Sequence, residues 1–250
     1  MFGAAPGNVL VAADFSSMEL RAAAEISGDA AMRNAFERGD DLHRLTAAMV
    51  TGKKPEEVTA EERSSAKRVN FGAAYGSGAR GLIKSAWDSY GVVLTRAEAE
   101  NWLSGFCTAF PTFAKWRRTH ADKCEAARQI VIGRDAAEGI GRVFELSWLN
   151  PDQSSYTVAC NLPIQGACAD ASMLALAAID EALYEEGLNG GPVAWLHDEI
   201  VLEVPIEEAM RAAELLEEAM VKAFAETFPN APLNGLVDVQ NGTTWASLKT

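Results

Sequence analysis

Asp14 ends the apolar run "NVLVAADFS", and Asp198 and Glu199 stand between the β-favouring runs of "WLHDEIVLEV". Carboxylates in such surroundings rarely stand without a partner. If the strands are neighbours, Asp14 and Asp198 can share a divalent cation. A few hard oxygen ligands, with positions left for waters and phosphates, are what magnesium prefers. Two such ions can activate an attacking hydroxyl and stabilise a leaving oxygen in phosphoryl transfer. Plainer readings stand beside this one: Asp14 as a helix cap, and Asp198–Glu199 as a hairpin turn.

The stretch "RSSAKRVNFGAAYG" carries a second chemistry. Arg63, Lys67, Phe71 and Tyr75 recur every four residues, so a helix projects them from one face. Two cations followed by two rings suit a nucleoside triphosphate, the cations on phosphates and the rings against sugar and base. Gly72 and Gly76 are expected to clear space beside the rings. The alternative is a solvated basic end running into a buried aromatic end.

Elements must position these residues. A buried strand is expected over Val9–Ala13, ending at Asp14. Helices are expected from Met18 to about Gly28, from about Asp41 to Gly52, and from an N-cap at Thr59 to about Tyr75. More follow at Gly81–Gly91, Thr95–Phe110 (with a capping box from Thr95 to Glu98) and Pro111–Arg128. Residues 129–156 read as hairpin or loop, and a helix returns from Gln165 to Gly187. Strands flank Asp198 and Glu199, an acidic amphipathic helix covers 206–226, and "LVDVQNGTTW" reads as a last strand and turn. The expected fold is α+β: a small antiparallel sheet carrying the carboxylates, with a large helical insertion between its strands.

The bulk numbers bound the function. At 250 residues, 48% hydrophobic and 23% charged, the chain is of ordinary globular composition. A net charge of −13 argues against phosphate binding by the surface as a whole. Arg63, Lys67, Arg68, Arg80 and Lys84 nevertheless cluster, as do Lys115, Arg117, Arg118, Lys123 and Arg128, and a site can be locally basic on an acidic protein. No apolar run is expected to span a bilayer, so no membrane partner is expected. The four cysteines show no CxxC pair and read as small buried residues of a reducing, cytoplasmic compartment.

"DFSSMELR" (14–21), "RSSAKRVNFGAAYG" (63–76), "NLPIQGACAD" (161–170) and "HDE" (197–199), in this order, resemble the motif set of family A DNA polymerases, the bacterial DNA polymerase I type. The likeness covers nearly the whole chain. It implies a palm over 1–25 and 155–250, with helical fingers over 26–154. It implies Asp14 and Asp198 as catalytic metal ligands for two magnesium ions, with manganese able to substitute, and Glu199 in support. Arg63, Lys67 and His43 would hold the phosphates of a dNTP, and Phe71 and Tyr75 would frame its sugar and base. Glu19 would be a steric gate against a ribose 2′-hydroxyl. Gln165, His197 and Asn161 would contact primer-template DNA, the first two at the minor-groove edge. The implied reaction is attack of a primer 3′-hydroxyl on the α-phosphate with loss of pyrophosphate.

The likeness does not extend to the family's thumb, to the first part of its palm or to an exonuclease. Tyr156 and Thr157 stand where the family has a Glu-Arg pair, and 129–150 diverge. Three readings of this departure stand side by side: a separate polypeptide that supplies thumb or exonuclease as a partner, a reduced polymerase of poor processivity, and an excised piece of a larger gene. Two other functions compete: a DNA-binding or replication-accessory module that keeps the fold without turnover, and a single-subunit RNA polymerase, against which Glu19 and Glu199 speak.

Overall fold

The computed structural model describes residues 2–90, 93–133 and 141–249. The chain divides into two compact units, Met1–Met18 with Ala167–Thr250, and Glu19–Gly166.

The first unit is built on a four-stranded antiparallel sheet. Strand β1 (Asn8–Phe15) lies between β5 (Glu199–Pro205) and β6 (Val237–Gly242), and β4 (Gly191–Leu196) flanks β5. Pro192, which has no N–H to give a ladder, is accommodated because β4 is an edge strand with a register shift between Pro192 and Ala194. Side chains alternate along β1. Leu10 and Ala12 pack with Val201 and Leu248 on one face. Phe15 meets Phe224 of α9 (Ala209–Thr227) on the other, with ring centroids 5.9 Å apart. Asp14 continues the Leu10–Ala12 face at its open end and is exposed.

The second unit is helical: α1 (Met18–Ser27) enters it, followed by α2 (Ala30–Glu37), α3 (Leu42–Thr51), α4 (Ala60–Ala74), α5 (Ala79–Tyr90), α6 (Arg96–Ala109) and α7 (Pro111–Ala127). A hairpin of β2 (Gln129–Ile132) and β3 (Arg142–Glu145) precedes α8 (Ser155–Glu185), which runs on into the first unit. Of the hairpin or loop expected over 129–156, the hairpin is therefore present in part; residues 134–140, and Gly91 of the helix expected over Gly81–Gly91, lie outside the described residues. The expected capping box at Thr95 forms, and the expected N-cap at Thr59 proves to be a box as well. Thr59 accepts from the Glu62 amide at 3.2 Å while Glu62 accepts from the Thr59 amide at 2.9 Å, and Thr95 and Glu98 repeat the exchange. Phe106, Phe110 and Phe113 form the aromatic core of α6 and α7, with centroids 5.2 and 6.0 Å apart.

Three expectations are corrected. Helix α2 was not anticipated. Its cap, the buried Asp29, accepts from the Met32 amide at 3.0 Å and from the Phe113 amide at 2.9 Å, so one carboxylate caps both α2 and α7. Helix α8 begins ten residues before Gln165 and contains Pro163. Proline removes one helical hydrogen bond, which tertiary packing offsets, since Ala159, Cys160 and Ile164 around it are buried. By length and composition α8 could also cross a membrane, contrary to the sequence reading. Its buried stripe of Ile164, Ala171, Ala175, Ile179 and Leu183 is that of a core helix.

Candidate functional site

In the sheet unit the β4–β5 connection is the two residues His197 and Asp198. His197 takes φ +57°, a left-handed conformation that costs a non-glycine residue about 1 kcal/mol or more. Two hydrogen bonds hold the turn: the Trp195 indole donates to the His197 carbonyl at 2.8 Å, and the Phe15 amide donates to the Asp198 carbonyl at 3.1 Å. The second bond ties the Asp198 turn directly to the end of β1 that carries Asp14. The link from β1 to α1 is also strained, with Ser17 at φ +54°. Backbone strain thus flanks both carboxylates.

Register adds a residue that the sequence reading passed over. Asp14 is directly opposite Glu199 on β5 and directly opposite Asp238 on β6. Three carboxylates therefore form a row across adjacent strands on one face, where like charges side by side are destabilising. Glu199 is buried and accepts from the Trp245 indole at 3.3 Å; Asp238 is exposed and accepts from Gln240 at 3.4 Å. Asp198 is half-buried in the turn. Among the described residues no three acidic, histidine or cysteine side chains converge into a ready-made metal cage. With strands about 4.8 Å apart the row is too spread for one. An oxygen-only set that supplies one or two carboxylates and leaves room for phosphates is nevertheless the kind that suits magnesium. The signal for Asp238 was present in "LVDVQ", an acid inside a strand-like alternation of the same kind as Asp14.

In the helical unit α4 presents the expected face: Lys67 is exposed, Arg63, Phe71 and Tyr75 are half-buried, and Tyr75 caps the helix. The face is a chain of contacts. Arg63 donates from Nε to Asp41, whose other oxygen accepts from the His43 and Arg44 amides at 2.9 and 3.2 Å and so caps α3. Burial raises the Asp41 carboxyl, but the Arg63 hydrogen bond, the Arg44 amide and the nearby positive charges outweigh it and hold it below the usual range. The His43 ring lies 5.9 Å from that of Phe71, which lies 6.2 Å from that of Tyr75. The Tyr75 hydroxyl donates to Glu19, and the Gln165 amide donates to the other Glu19 oxygen at 3.3 Å. Seven of the proposed nucleotide and DNA residues thus gather in this unit: His43, Arg63, Lys67, Phe71, Tyr75, Glu19 and Gln165. Asn161 also lies in this unit, its side-chain oxygen buried without a hydrogen bond, whereas His197 belongs to the sheet unit.

Two readings change. The glycines serve packing rather than the rings. A Cβ on Gly72 would stand 3.3 Å from Leu82, and Gly76, at φ +74°, would press Cys160 and Tyr156 at 3.1 and 3.2 Å. Arg117 does not belong to a surface basic cluster. It is buried, lies over the rings of Phe106 and Phe113, and donates to the Ala73 carbonyl in the last turn of α4. The cysteines are all free thiols; Cys124, Cys160 and Cys168 are buried as expected, whereas Cys107 is half-buried.

Residues 1–247 match the family model for DNA polymerase family A. The chain is 37% identical over 227 residues to DNA polymerase I of Aquifex aeolicus, covering 89% of this chain and 37% of that protein. It is 32% identical over 247 residues to DNA polymerase I of Streptococcus pneumoniae serotype 4, covering 97% of this chain and 26% of that protein. Among solved structures, the POL domain of Pol1 from M. smegmatis, in complex with DNA primer-template and dNTP, superposes with a TM-score of 0.83 at 27% identity, covering 99% of this chain and 42% of that one. The chain therefore belongs to DNA polymerase family A, with the α+β fold read from its sequence, and spans less than half the length of these relatives.

Proposed function

We propose that the chain is a template-directed DNA polymerase, or the part of one that performs nucleotidyl transfer onto a primer 3′-hydroxyl. The observation that carries the reading is the register of β1. It sets Asp14 beside Glu199, and the adjoining backbone bond ties Asp14's strand end to the Asp198 turn. In this reading Asp14 and Asp198 hold the divalent cations, magnesium or manganese, and Glu199, pinned by the Trp245 indole, supports them. The cations, when bound, lower the charge that develops as a phosphoryl group is transferred. The helical unit supplies the nucleotide contacts. Arg63 and Lys67 bind phosphates, His43 donates to them, and Phe71 and Tyr75 pack on sugar and base. In this reading Glu19, held by Tyr75 and Gln165, acts as the steric gate against a ribose 2′-hydroxyl. Gln165, His197 and Asn161 contact primer-template DNA. Positioning and charge, rather than covalent chemistry by the protein, carry the rate.

The test is primer extension with magnesium, with and without an added thumb-bearing polypeptide, using dNTPs and rNTPs in parallel. Asp14→Ala and Asp198→Ala should each abolish extension without lowering the unfolding temperature. Normal extension by Asp198→Ala, or preference for rNTPs, refutes the assignment; no extension by the unsubstituted chain in either condition favours a non-catalytic module.

A further inference from the structure

Asn70 lies on α4 between Lys67 and Phe71, pointing away from the exposed face, and is completely buried. Its side-chain nitrogen is 3.3 Å from the Leu42 carbonyl and 3.0 Å from Nδ1 of His43, both on α3. A carbonyl can only accept, so the amide atom facing Leu42 must be the nitrogen; the reversed amide would set two oxygens against each other. That nitrogen carries a second hydrogen, and His43 Nδ1 is where it points. An Nδ1 that accepts is unprotonated, so the single proton of a neutral imidazole resides on Nε2. The cost is visible, because the Asn70 oxygen is buried without a hydrogen bond. A leucine would fill the same space and orphan no oxygen, so packing alone does not account for an amide here.

The charges around His43 agree. Burial pushes its pKa down to about 4; Asp41 opposes this, and Arg63 and Lys67 reinforce it, so the ring is neutral at pH 7. Among the described residues Nε2 has no hydrogen-bond partner, and the ring, though only 5% exposed, is not fully closed off, so its N–H is left for an acceptor from outside the protein.

We propose that Asn70 is a positioning residue that locks His43 as the Nε2–H tautomer, so that the donor offered to a nucleotide phosphate is a neutral N–H rather than an imidazolium. The proposal rests on the nucleotide reading of α4. It divides the labour on that face: Arg63 and Lys67 supply charge, and His43 supplies direction. A neutral donor also keeps its strength constant through the neutral range, where an ordinary histidine would titrate.

The tautomer is directly measurable. In the 15N-labelled full chain at pH 7, long-range proton–nitrogen spectra should show His43 Nδ1 unprotonated and Nε2 protonated. His43→Gln identifies its signals among the three histidines. A protonated Nδ1 overturns the proposal, and this measurement needs neither nucleotide nor activity. In Asn70→Asp the carboxylate can only accept, so the proton should move to Nδ1, and affinity for magnesium dATP, followed by α4 amide shifts, should fall about tenfold, the loss of one hydrogen bond to a charged group. A moved proton with unchanged affinity overturns the positioning role. Lys67→Ala separates the two levels. If it weakens dATP binding while Asn70→Asp does not, only the lock fails. If neither weakens it, or the unsubstituted chain binds no dATP, the nucleotide reading of the helix fails and takes the proposal with it. Should Asn70→Asp not fold, the tautomer of the unsubstituted chain still decides.

Discussion

Asp41 serves two helices at once, and its two roles can be separated by a pair of substitutions. One oxygen caps α3 through the His43 and Arg44 amides; the other takes the Arg63 guanidinium of α4. An N-cap is worth about 1 kcal/mol. The ion pair joins side chains 26% and 42% exposed, so solvent screening leaves it about 0.2–1 kcal/mol. Asparagine caps as well as aspartate, so Asp41→Asn should cost only the pair, under about 1 kcal/mol. Asp41→Ala should lose both, roughly 1.5–2 kcal/mol. Urea unfolding of the three proteins at constant slope gives the numbers directly. Equal losses in the two variants would mean that Asp41 acts through its charge alone and that the cap contributes nothing.

The same pair predicts a pH dependence. The Asp41 carboxyl is held below its ordinary value, the Arg63 and Arg44 hydrogen bonds outweighing burial. A carboxyl whose folded pKa is depressed contributes stability that is fully present above its unfolded value, near 3.9, and lost as pH falls through the folded one. From the Asp41 carboxyl alone, the gap between the unsubstituted chain and Asp41→Asn should therefore be constant above about pH 5 and close below about pH 4. His43, held down to about 4 by burial, loses its contribution as pH falls from about 6.5 to about 4, above the Asp41 range; Asp41 opposes that shift, so the loss is larger in Asp41→Asn and the gap widens slightly there before it closes. A gap that survives unchanged at pH 3 refutes the reasoning.

Arg117→Met should destabilise by about 1–3 kcal/mol, because it removes a charged hydrogen bond to the Ala73 carbonyl, which keeps the Gly76 amide, and takes a cation from two aromatic faces; a thermal melt unchanged from the unsubstituted chain would mean that the contact contributes nothing net. Gly166→Ala should cost about 1–3 kcal/mol, since its Cβ would stand 2.0 Å from Cγ2 of Ile132, a β-branched side chain with little freedom to turn. Gly78→Ala, whose Cβ would meet nothing within 4 Å, is the near-neutral control in the same urea titration.

What could be read in advance had short-range causes. The N-cap at Thr59 and the Thr95–Glu98 box act within a single turn, and the repeat from Arg63 to Tyr75 fixes one helix face whatever surrounds it. What escaped depends on partners far along the chain. Helix α2 is held by Asp29, whose second acceptor oxygen serves Phe113, 84 residues away. The early start of α8 rests on burial around Pro163, which overrides local preference. Arg117 looked like one member of a basic run because nothing in "KWRRTH" reveals which of two neighbouring arginines turns inward. Asn70 likewise gives no signal of its own: its meaning lies in two atoms on α3.

The acid pair of the β4–β5 hairpin shows how far local reading goes. A turn and a metal site were both open while only "HDE" was in view, and the structure contains the turn. The adjacent residues differ in freedom: Glu199 is buried with an oxygen against the Trp245 indole, whereas Asp198 is half-buried in a strained two-residue loop. On the proposed reading this favours Asp198 as the ligand, because a carboxylate still partly in water exchanges that water for a cation without first breaking a buried hydrogen bond. Asp238 then has a definite electrostatic effect. Standing on the far side of Asp14 from Glu199, it raises the negative potential at the row without adding a third oxygen close enough to complete a cage. A cation bound there relieves repulsion that the empty sheet must tolerate, so the carboxylates favour the metal and leave its remaining positions to water and phosphate.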